Sequence, residues 1–483
     1  MNYLFFLNML LFLCIPAECY SIRKELSLND LINYICNYSD DYKIYEMKKE
    51  IIDRQYASDI HSYEYSLSFS LQPQFNHSIS PITQPNGSIV NHNLSNYSAS
   101  PTINFSKPII FLGGTISATS NLNYYKTISP SSYSQNFSTN LFHISYSQPI
   151  QMHNSMKWGR KSARASFWLN KYDNVSDYIN LKSKTCHIYF EVVKNRLLLK
   201  QYQEQLTHLD SIEIVYNNLY KHGHIIKIEL EELRISKLEL IDKIKYCKSN
   251  LSYSTSELNS LVNNYLNIDS FLLKIPHDFK LLDYSTVYNI LKKKQIEYEK
   301  VSRIPIKRGL IESKNAKGIQ LSLAAGVGVN SSSDTFSKLW DKKIPTFNIS
   351  LNAKIPISDL KEKNNQYKMA ELQLRQFEIS QRNRKESEIY SLTNIVQQYN
   401  NLISSLALAE EKTTFLYEEV QIKEILLLSR KILFDEYYKT TKKIIENEIN
   451  KVTYTKELYD CIFHLESLTM HDFSTRNDFY EIY

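Results

Sequence analysis

The segment Tyr216–Leu230, YNNLYKHGHIIKIEL, decides the fold, because its Gly223 interrupts an otherwise unbroken helical pattern. No glycine or proline occurs between Arg160 and His222, and none follows Gly223 until Pro276. On both sides of Gly223, apolar residues recur at intervals of three and four, as in coiled-coil helices. The pattern predicts two long helices that fold back on each other at Gly223. At ~1.5 Å per residue the first helix would be about 95 Å long, which indicates an elongated protein.

The composition excludes several classes of protein. The 483 residues carry a net charge of +6, and basic and acidic residues are interspersed along the helices, so we expect no nucleic-acid partner. Four cysteines beyond the first 19 residues are far apart and predict neither a disulfide framework nor a metal site. The sequence contains no nucleophile elbow, phosphate-binding glycine loop or zinc-protease motif. We therefore expect no enzymatic activity, no metal and no cofactor.

Residues 1–19 are expected to be an export signal. The apolar run Tyr3–Ile15 is too short to span a bilayer, and the small residues Ala17 and Cys19 precede the expected cleavage. A lipid-modified Cys19 is the alternative interpretation. No later apolar run approaches 18 residues, so we expect no transmembrane helix. An exported chain can still enter a membrane as a closed β-barrel.

Several segments have the alternating pattern of strands. Tyr63–Gln72 alternates apolar and polar residues without exception, and its length suits a tilted strand that crosses an outer membrane. Alternation returns at 141–147, 318–329 and 347–353, which predicts about four strands. Residues 76–140 are rich in Ser, Asn, Pro, Gly and Thr, which predicts loops with a possible extra hairpin around Gly113–Gly114. Asn29 or Asp30 is expected to cap an opening helix that runs to about Ser58.

The order helix, strand, loop, strand, long helical hairpin occurs twice. One offset of 207 residues relates Pro149 to Pro356 and Gly223 to Arg430. The sequence thus predicts a first repeat at 20–262 with an insertion at 76–140, and a connector at 263–284. A second repeat follows at 285–470, with a C-terminal tail at 471–483.

The fold class is therefore α+β and mostly α. Four strands cannot close a barrel, and the open edges of a sheet are not viable in lipid. Three chains would supply about twelve strands, a plausible number for an outer-membrane barrel. The same three chains would bring about twelve long helical segments together into a hollow tube.

At this point the chain resembles the TolC family of outer-membrane efflux ducts. The resemblance covers nearly the whole mature chain. It rests on Leu26–Leu31 with Ser39, Tyr146–Ile150, Asn154–Trp158, Gly223 followed by Ile225 and Ile226, and Leu468–Phe473. The last of these segments and the passage from strand to helix are similar to family members from Bacteroides-like bacteria.

Family membership implies a homotrimer that shares an outer-membrane β-barrel and extends a long α-helical tunnel into the periplasm. The tunnel tips would contact a periplasmic adaptor protein and an inner-membrane pump of the RND or ABC type. The chain would be a passive exit duct of a tripartite efflux or type I secretion system, for small molecules or polypeptide. The alternative function is a secreted or surface coiled-coil protein with a structural or adhesive role.

The expected functional residues lie at the two hairpin tips. The tip that contacts the adaptor would comprise Gly223, Ile225, Ser429, Arg430 and Lys431. The second tip departs from the family, which usually has a glycine at the position of Ser429-Arg430.

Acidic residues follow both tips, and the candidates for a cation-favouring constriction at the pore mouth are Glu229, Asp435 and Glu436. In a trimer each residue would be present three times. The resemblance supports Asp435 or Glu436, because family members carry acidic residues near there. The alternative is that these carboxylates only form part of a solvated helix face.

Overall fold

The computed structural model describes residues 24–85, 87–129, 133–150, 153–276, 279–473 and 477–479. The expected signal peptide, with Ala17 and Cys19, lies outside these residues. The chain divides into two compact units, and each draws on both halves of the sequence repeat. The hairpin unit comprises the described parts of Met1–Lys48, Asn174–Lys292 and Glu388–Glu481, and the sheet unit comprises those of Lys49–Asp173 and Lys293–Ser387.

Helices form most of the described chain. They are α1 (Leu28–Tyr38), α2 (Asp40–His61), α3 (Ser155–Lys221), α4 (Lys227–Leu261), α5 (Tyr284–Ala316), α6 (Leu360–Leu428) and α7 (Phe434–Thr469). Among the residues described, no helix combines the length and the apolar character that a membrane-spanning helix requires. The class predicted from the sequence, α+β and mostly α, is confirmed.

The 207-residue offset predicted from sequence relates the ends of the long helices. The first arm α3 ends at Lys221 and the corresponding arm α6 ends at Leu428. The return helices α4 and α7 begin at Lys227 and Phe434. Both pairs of positions differ by the same offset, so the two halves form the same helical hairpin.

The opening helix starts earlier than the sequence suggested. Ser27, rather than Asn29 or Asp30, is the N-cap residue of α1, and its hydroxyl accepts a hydrogen bond from Asp30 N. The Asp30 carboxylate accepts a bond from Ser27 N in return, which completes a capping box. The prediction of one helix to Ser58 is also wrong, because the backbone at Ser39 is extended and separates α1 from α2.

The core of the hairpin unit joins the start of the described chain to the connector between the repeats. Strand β1 (Lys24–Leu26) pairs in parallel with β6 (Phe271–Leu273). The buried Tyr189 hydroxyl on α3 donates to Leu26 O at 3.0 Å, and it lies 2.7 Å from Lys274 O. Arg196 donates to Phe271 O and to Ile268 O on the connector. These bonds attach α3 both to the first strand and to the connector.

The sheet unit contains one six-stranded antiparallel sheet. Its strands are β2 (Ser66–Thr83), β3 (Ile89–Ile109), β4 (Gly114–Ile128), β5 (Tyr133–Ile150), β7 (Gln320–Ser333) and β8 (Ile344–Lys354). They are ordered β2-β3-β4-β5-β7-β8, so β2 and β8 are the edges. Two short strands, β9 (His471–Asp472) and β10 (Asn477–Asp478), form a separate pair near the C-terminus.

The expectation of about four strands is too low, because the insertion 76–140 is mostly strand; the possible hairpin around Gly113–Gly114 is confirmed as β3 and β4. The insertion extends β2, supplies β3 and β4, and begins β5. Its many Ser and Asn residues suggested loops, but such residues suit a strand with one polar face. Pro101 lies within β3 at a gap in the pairing with β4, between Ala99 and Thr102, where proline has no N–H to donate.

Candidate functional site

The first hairpin tip has a left-handed residue at its centre. Gly223 has φ +70°, and a Cβ added there would meet no atom within 4 Å. Gly223 N donates to Tyr220 O at 2.9 Å, and His224 N donates to Leu219 O at 2.8 Å. This arrangement closes the C-terminus of α3 in the way that glycine commonly does. Ile225, which follows, is half-buried against the apolar cluster of the tips.

The second tip has the same geometry without a glycine. Arg430 has φ +61°, although a left-handed backbone disfavours residues with a Cβ. Arg430 N donates to Leu427 O at 3.0 Å, and Lys431 N donates to Leu426 O at 2.9 Å. The donors and acceptors lie 207 positions beyond those of the first tip. Ser429, Arg430 and Lys431 are all exposed.

A buried aromatic cluster joins the two tips, and the sequence analysis did not single it out. Phe434, Tyr437 and Tyr438 on α7 pack with Tyr216 on α3 and with leucines of both hairpins. The Tyr216 and Phe434 rings meet edge to face, with centroids 6.4 Å apart. The apolar positions at the start of α7 were the available signal, but periodicity alone does not say which helix they pack against.

The acidic candidates have different surroundings. Glu229 is half-buried. Burial, reinforced by the charge of Glu229 and opposed by Arg430, raises the pKa of Tyr216 to about 12. Glu229 and Arg430 therefore both lie near the junction of the two hairpins.

The two acidic residues of the second tip are exposed. Asp435 Oδ2 lies 2.5 Å from Lys439 Nζ, an ion pair along one face of α7. No side-chain ion pair of Glu436 is seen in the described part of the chain. Its backbone carbonyl accepts a hydrogen bond from Thr440 Oγ1. The two carboxylates thus differ in their contacts, since only that of Asp435 forms an ion pair with Lys439 among the described residues.

Polar contacts tie the helices together behind the tips. Lys237 Nζ on α4 lies 2.5 Å from Asp210 Oδ1 and 2.8 Å from Glu213 Oε2, both on α3. The hydrogen bond from Lys237 is the largest cause that lowers the pKa of Glu213. Between the two hairpins, Gln205 Nε2 donates to Thr441 Oγ1 at 2.7 Å. The tips are thus positioned by both apolar packing and polar bridges.

In the sheet unit, the two faces of the sheet differ in chemistry across its full width. One row of paired residues consists of Leu67, Phe105, Ala118, Ile144, Val327 and Phe347. The adjacent row, which points to the opposite face, consists of Ser66, Ser106, Ser117, Ser145, Gly326 and Asn348. The apolar row is largely exposed, since Leu67 is 68% and Phe347 is 70% accessible. An apolar exposed face opposite a polar face is typical of strands in an outer membrane.

Solved structures with a similar fold include outer-membrane proteins. The outer-membrane protein VceC from Vibrio cholerae is 9% identical with a TM-score of 0.64, covering 92% of this chain and 95% of its own. The Campylobacter jejuni CmeC outer-membrane channel is 16% identical with a TM-score of 0.57, covering 94% and 87%. CusC, whose structures describe transmembrane channel formation, is 14% identical with a TM-score of 0.61, covering 92% and 91%.

No family model and no curated protein matches the sequence. The likeness is therefore one of fold, and it extends over nine-tenths of the chain. At the level of the fold, it confirms the resemblance to the TolC family that the sequence predicted.

Proposed function

We propose that this protein is an outer-membrane exit channel whose sheet lies in the membrane and whose helical hairpins extend into the periplasm. The observation that carries the proposal is the division of the six-stranded sheet into an apolar face and a polar face. Exposed apolar side chains would be costly in water but favourable against lipid. Serine, asparagine and glycine on the other face suit a water-filled lumen. The fold likeness to outer-membrane channels supports the same location.

The open edges of the sheet require more than one copy. Strands β2 and β8 have a partner on one side only among the described strands. In hydrocarbon their free backbone N–H and C=O groups would each cost several kcal/mol. We propose a homotrimer in which β2 of one copy pairs with β8 of the next. Three six-stranded sheets would give an eighteen-stranded barrel, within the size range of outer-membrane barrels.

The hairpin tips are the proposed contact with the rest of a transport machine. They are exposed at Gly223, Ser429, Arg430 and Lys431, while the cluster behind them is buried. Such a surface is suited to a periplasmic adaptor protein, which would link the channel to an inner-membrane pump of the RND or ABC type. Tripartite efflux and type I secretion both fit a passive duct, because the pump selects the cargo.

The alternative of a secreted coiled-coil rod accounts for the helices but not for the sheet. A rod has no use for two rows of opposite chemistry that continue across six strands.

The experiment that tests the proposal is purification of the full chain from outer membranes in detergent, followed by three measurements. Native mass spectrometry should give a trimer, and planar bilayers should show discrete conductance steps. Heating before gel electrophoresis should shift the mobility, as closed barrels resist detergent until they are boiled. A monomer in the soluble fraction without conductance would refute the channel and favour the rod.

A further inference from the structure

One face of the first turns of α3 is strongly basic. Lys157, Arg160, Lys161 and Arg164 are exposed, and their spacing of three and four residues places them on the same side of the helix. No aspartate or glutamate occurs in α3 before Asp173. This face therefore concentrates positive charge, whereas basic and acidic residues alternate along most of the other helices.

An exposed apolar turn lies beside the basic face. The turn between β3 and β4 presents Phe111, which is 89% accessible, and Leu112, which is 52% accessible. It is held in place, because Asn154 Nδ2 donates to Ile110 O at 2.6 Å and Gln148 Nε2 donates to Leu112 O at 2.9 Å. Gly113 allows the turn through its φ of +79°.

The same asparagine fixes the helix. Asn154 Oδ1 accepts a hydrogen bond from Lys157 N at 2.9 Å and so caps the start of α3. The apolar turn and the basic face are thereby set against each other by one side chain. A cavity of about 600 Å³ lies between them, lined by the four basic residues together with Tyr56, Ile110 and Phe111.

We propose that this cavity binds an anionic phospholipid, with the phosphate at the basic face and the first part of an acyl chain against Phe111. The proposal rests on the membrane location of the sheet. Charge complementarity selects an anion, and the exposed apolar turn selects one that carries a hydrocarbon chain. A free phosphate would use the cations but leave the apolar turn in water. The turn also directly follows β3, which belongs to the sheet whose apolar face is proposed to contact lipid.

The chain offers a built-in reporter. Trp158 follows Lys157 on α3, and the other tryptophans are Trp168 and Trp340. In a Trp168→Phe/Trp340→Phe background, the fluorescence of the trimer in detergent reports on Trp158 alone. Mixed micelles that contain phosphatidylglycerol or phosphatidylcholine with brominated acyl chains quench the fluorescence when the lipid is near. We expect brominated phosphatidylglycerol to quench the Trp158 fluorescence at a much lower mole fraction than brominated phosphatidylcholine.

The matched variants differ only in where two charges are removed. Lys157→Gln/Arg160→Gln should weaken the preference for phosphatidylglycerol about thirtyfold, because each cation near an anionic lipid surface contributes roughly five- to sixfold and two are removed. Lys245→Gln/Lys248→Gln, at exposed positions on α4, should leave the preference unchanged. Native mass spectrometry of trimers that retain all tryptophans measures the number of bound lipids independently.

The outcomes separate this proposal from the function on which it rests. In protein that keeps Lys157 and Arg160, equal quenching of Trp158 fluorescence by both lipids would overturn the proposed lipid site but not the channel. Quenching by neither lipid would also overturn the site, whereas the channel would be overturned only by failure of the trimer and conductance measurements. Loss of the preference on addition of millimolar inorganic phosphate would show a phosphate site rather than a lipid site. Dissociation of the trimer in Lys157→Gln/Arg160→Gln would show that the face contacts a neighbouring copy, which also overturns the proposal.

Discussion

The left-handed residues at the two tips should respond in opposite directions to substitution. We predict that Gly223→Ala loosens the first tip and that Arg430→Gly tightens the second. Both backbones have a positive φ, +70° and +61°. A Cβ in this region costs ~1–2 kcal/mol, while glycine costs about 0.5–1 kcal/mol in lost chain entropy. The net effect is roughly 1 kcal/mol at each position, and no side-chain clash adds to it at Gly223.

Hydrogen exchange read by mass spectrometry measures this effect locally. The amides of His224 and Lys431 close the two tips, and they exchange when the tips open. A change of ~1 kcal/mol corresponds to roughly fivefold in the exchange rate. Gly223→Ala should speed exchange in peptides of the first tip and leave the second unchanged. Arg430→Gly should slow exchange at the second tip only, so each tip is the internal reference for the other.

The control is Ser429→Gly, which adds a glycine next to Arg430 at a residue without a positive φ. It should speed exchange, because it adds chain entropy and relieves no strain. If Arg430→Gly and Ser429→Gly changed the rate in the same direction, or if Gly223→Ala left the first tip unchanged, the argument from backbone conformation would be refuted.

Three further predictions concern charges of the helices. Lys182 Nζ lies 2.5 Å from Glu466 Oε2, and both side chains are buried. Lys182→Met should therefore lower the free energy of unfolding by about 3–5 kcal/mol, because it leaves a buried carboxylate unpaired, while Lys182→Met/Glu466→Met should lower it far less. Equal losses of the two variants in denaturant unfolding would contradict this. Lys237 lowers the pKa of Glu213 from its ordinary 4.5. The ion pair therefore stabilises the fold above that pH, and this stabilisation is lost as the pH falls through the lowered pKa. The melting temperatures of the native protein and of Lys237→Met should differ most at neutral pH. If the pore mouth selects cations, Glu436→Gln should reduce the cation preference in bilayer recordings more than Asp435→Asn does, because Lys439 already pairs with Asp435. An unchanged preference in both variants would refute a cation-selective mouth.

The hairpin tips show how far sequence reasoning reached into the candidate site. Gly223 was predicted as a turn because glycine is the only breaker in a long helical run, and Arg430 was found through the repeat offset. The acidic candidates were found by position, but their environments were not. That Glu229 is half-buried and Asp435 is paired depends on neighbours one or more turns away.

Other features depended on contacts that the sequence does not encode locally. Helix α5 continues through Pro305 and Gly309 to Ala316, although proline and glycine both disfavour the interior of a helix. The buried pair Lys182 and Glu466 joins residues that are far apart in the chain. Neither the pairing nor the aromatic cluster around Tyr216 follows from periodicity, because periodicity gives the buried face of a helix but not its partner.

The sequence by itself determined the long helices, their turning points, the alternating strands and the internal repeat. These follow from local physics, namely the helical spacing of apolar residues, the alternation of strand side chains and the backbone freedom of glycine. The sequence suggested only one possible hairpin in residues 76–140, around Gly113–Gly114, and the tertiary structure decided that nearly the whole described segment forms strands. Their Ser and Asn residues are poor strand formers in isolation, but each gains cross-strand partners and a polar face once six strands align. Pairing register is a property of the whole sheet, and no single segment specifies it.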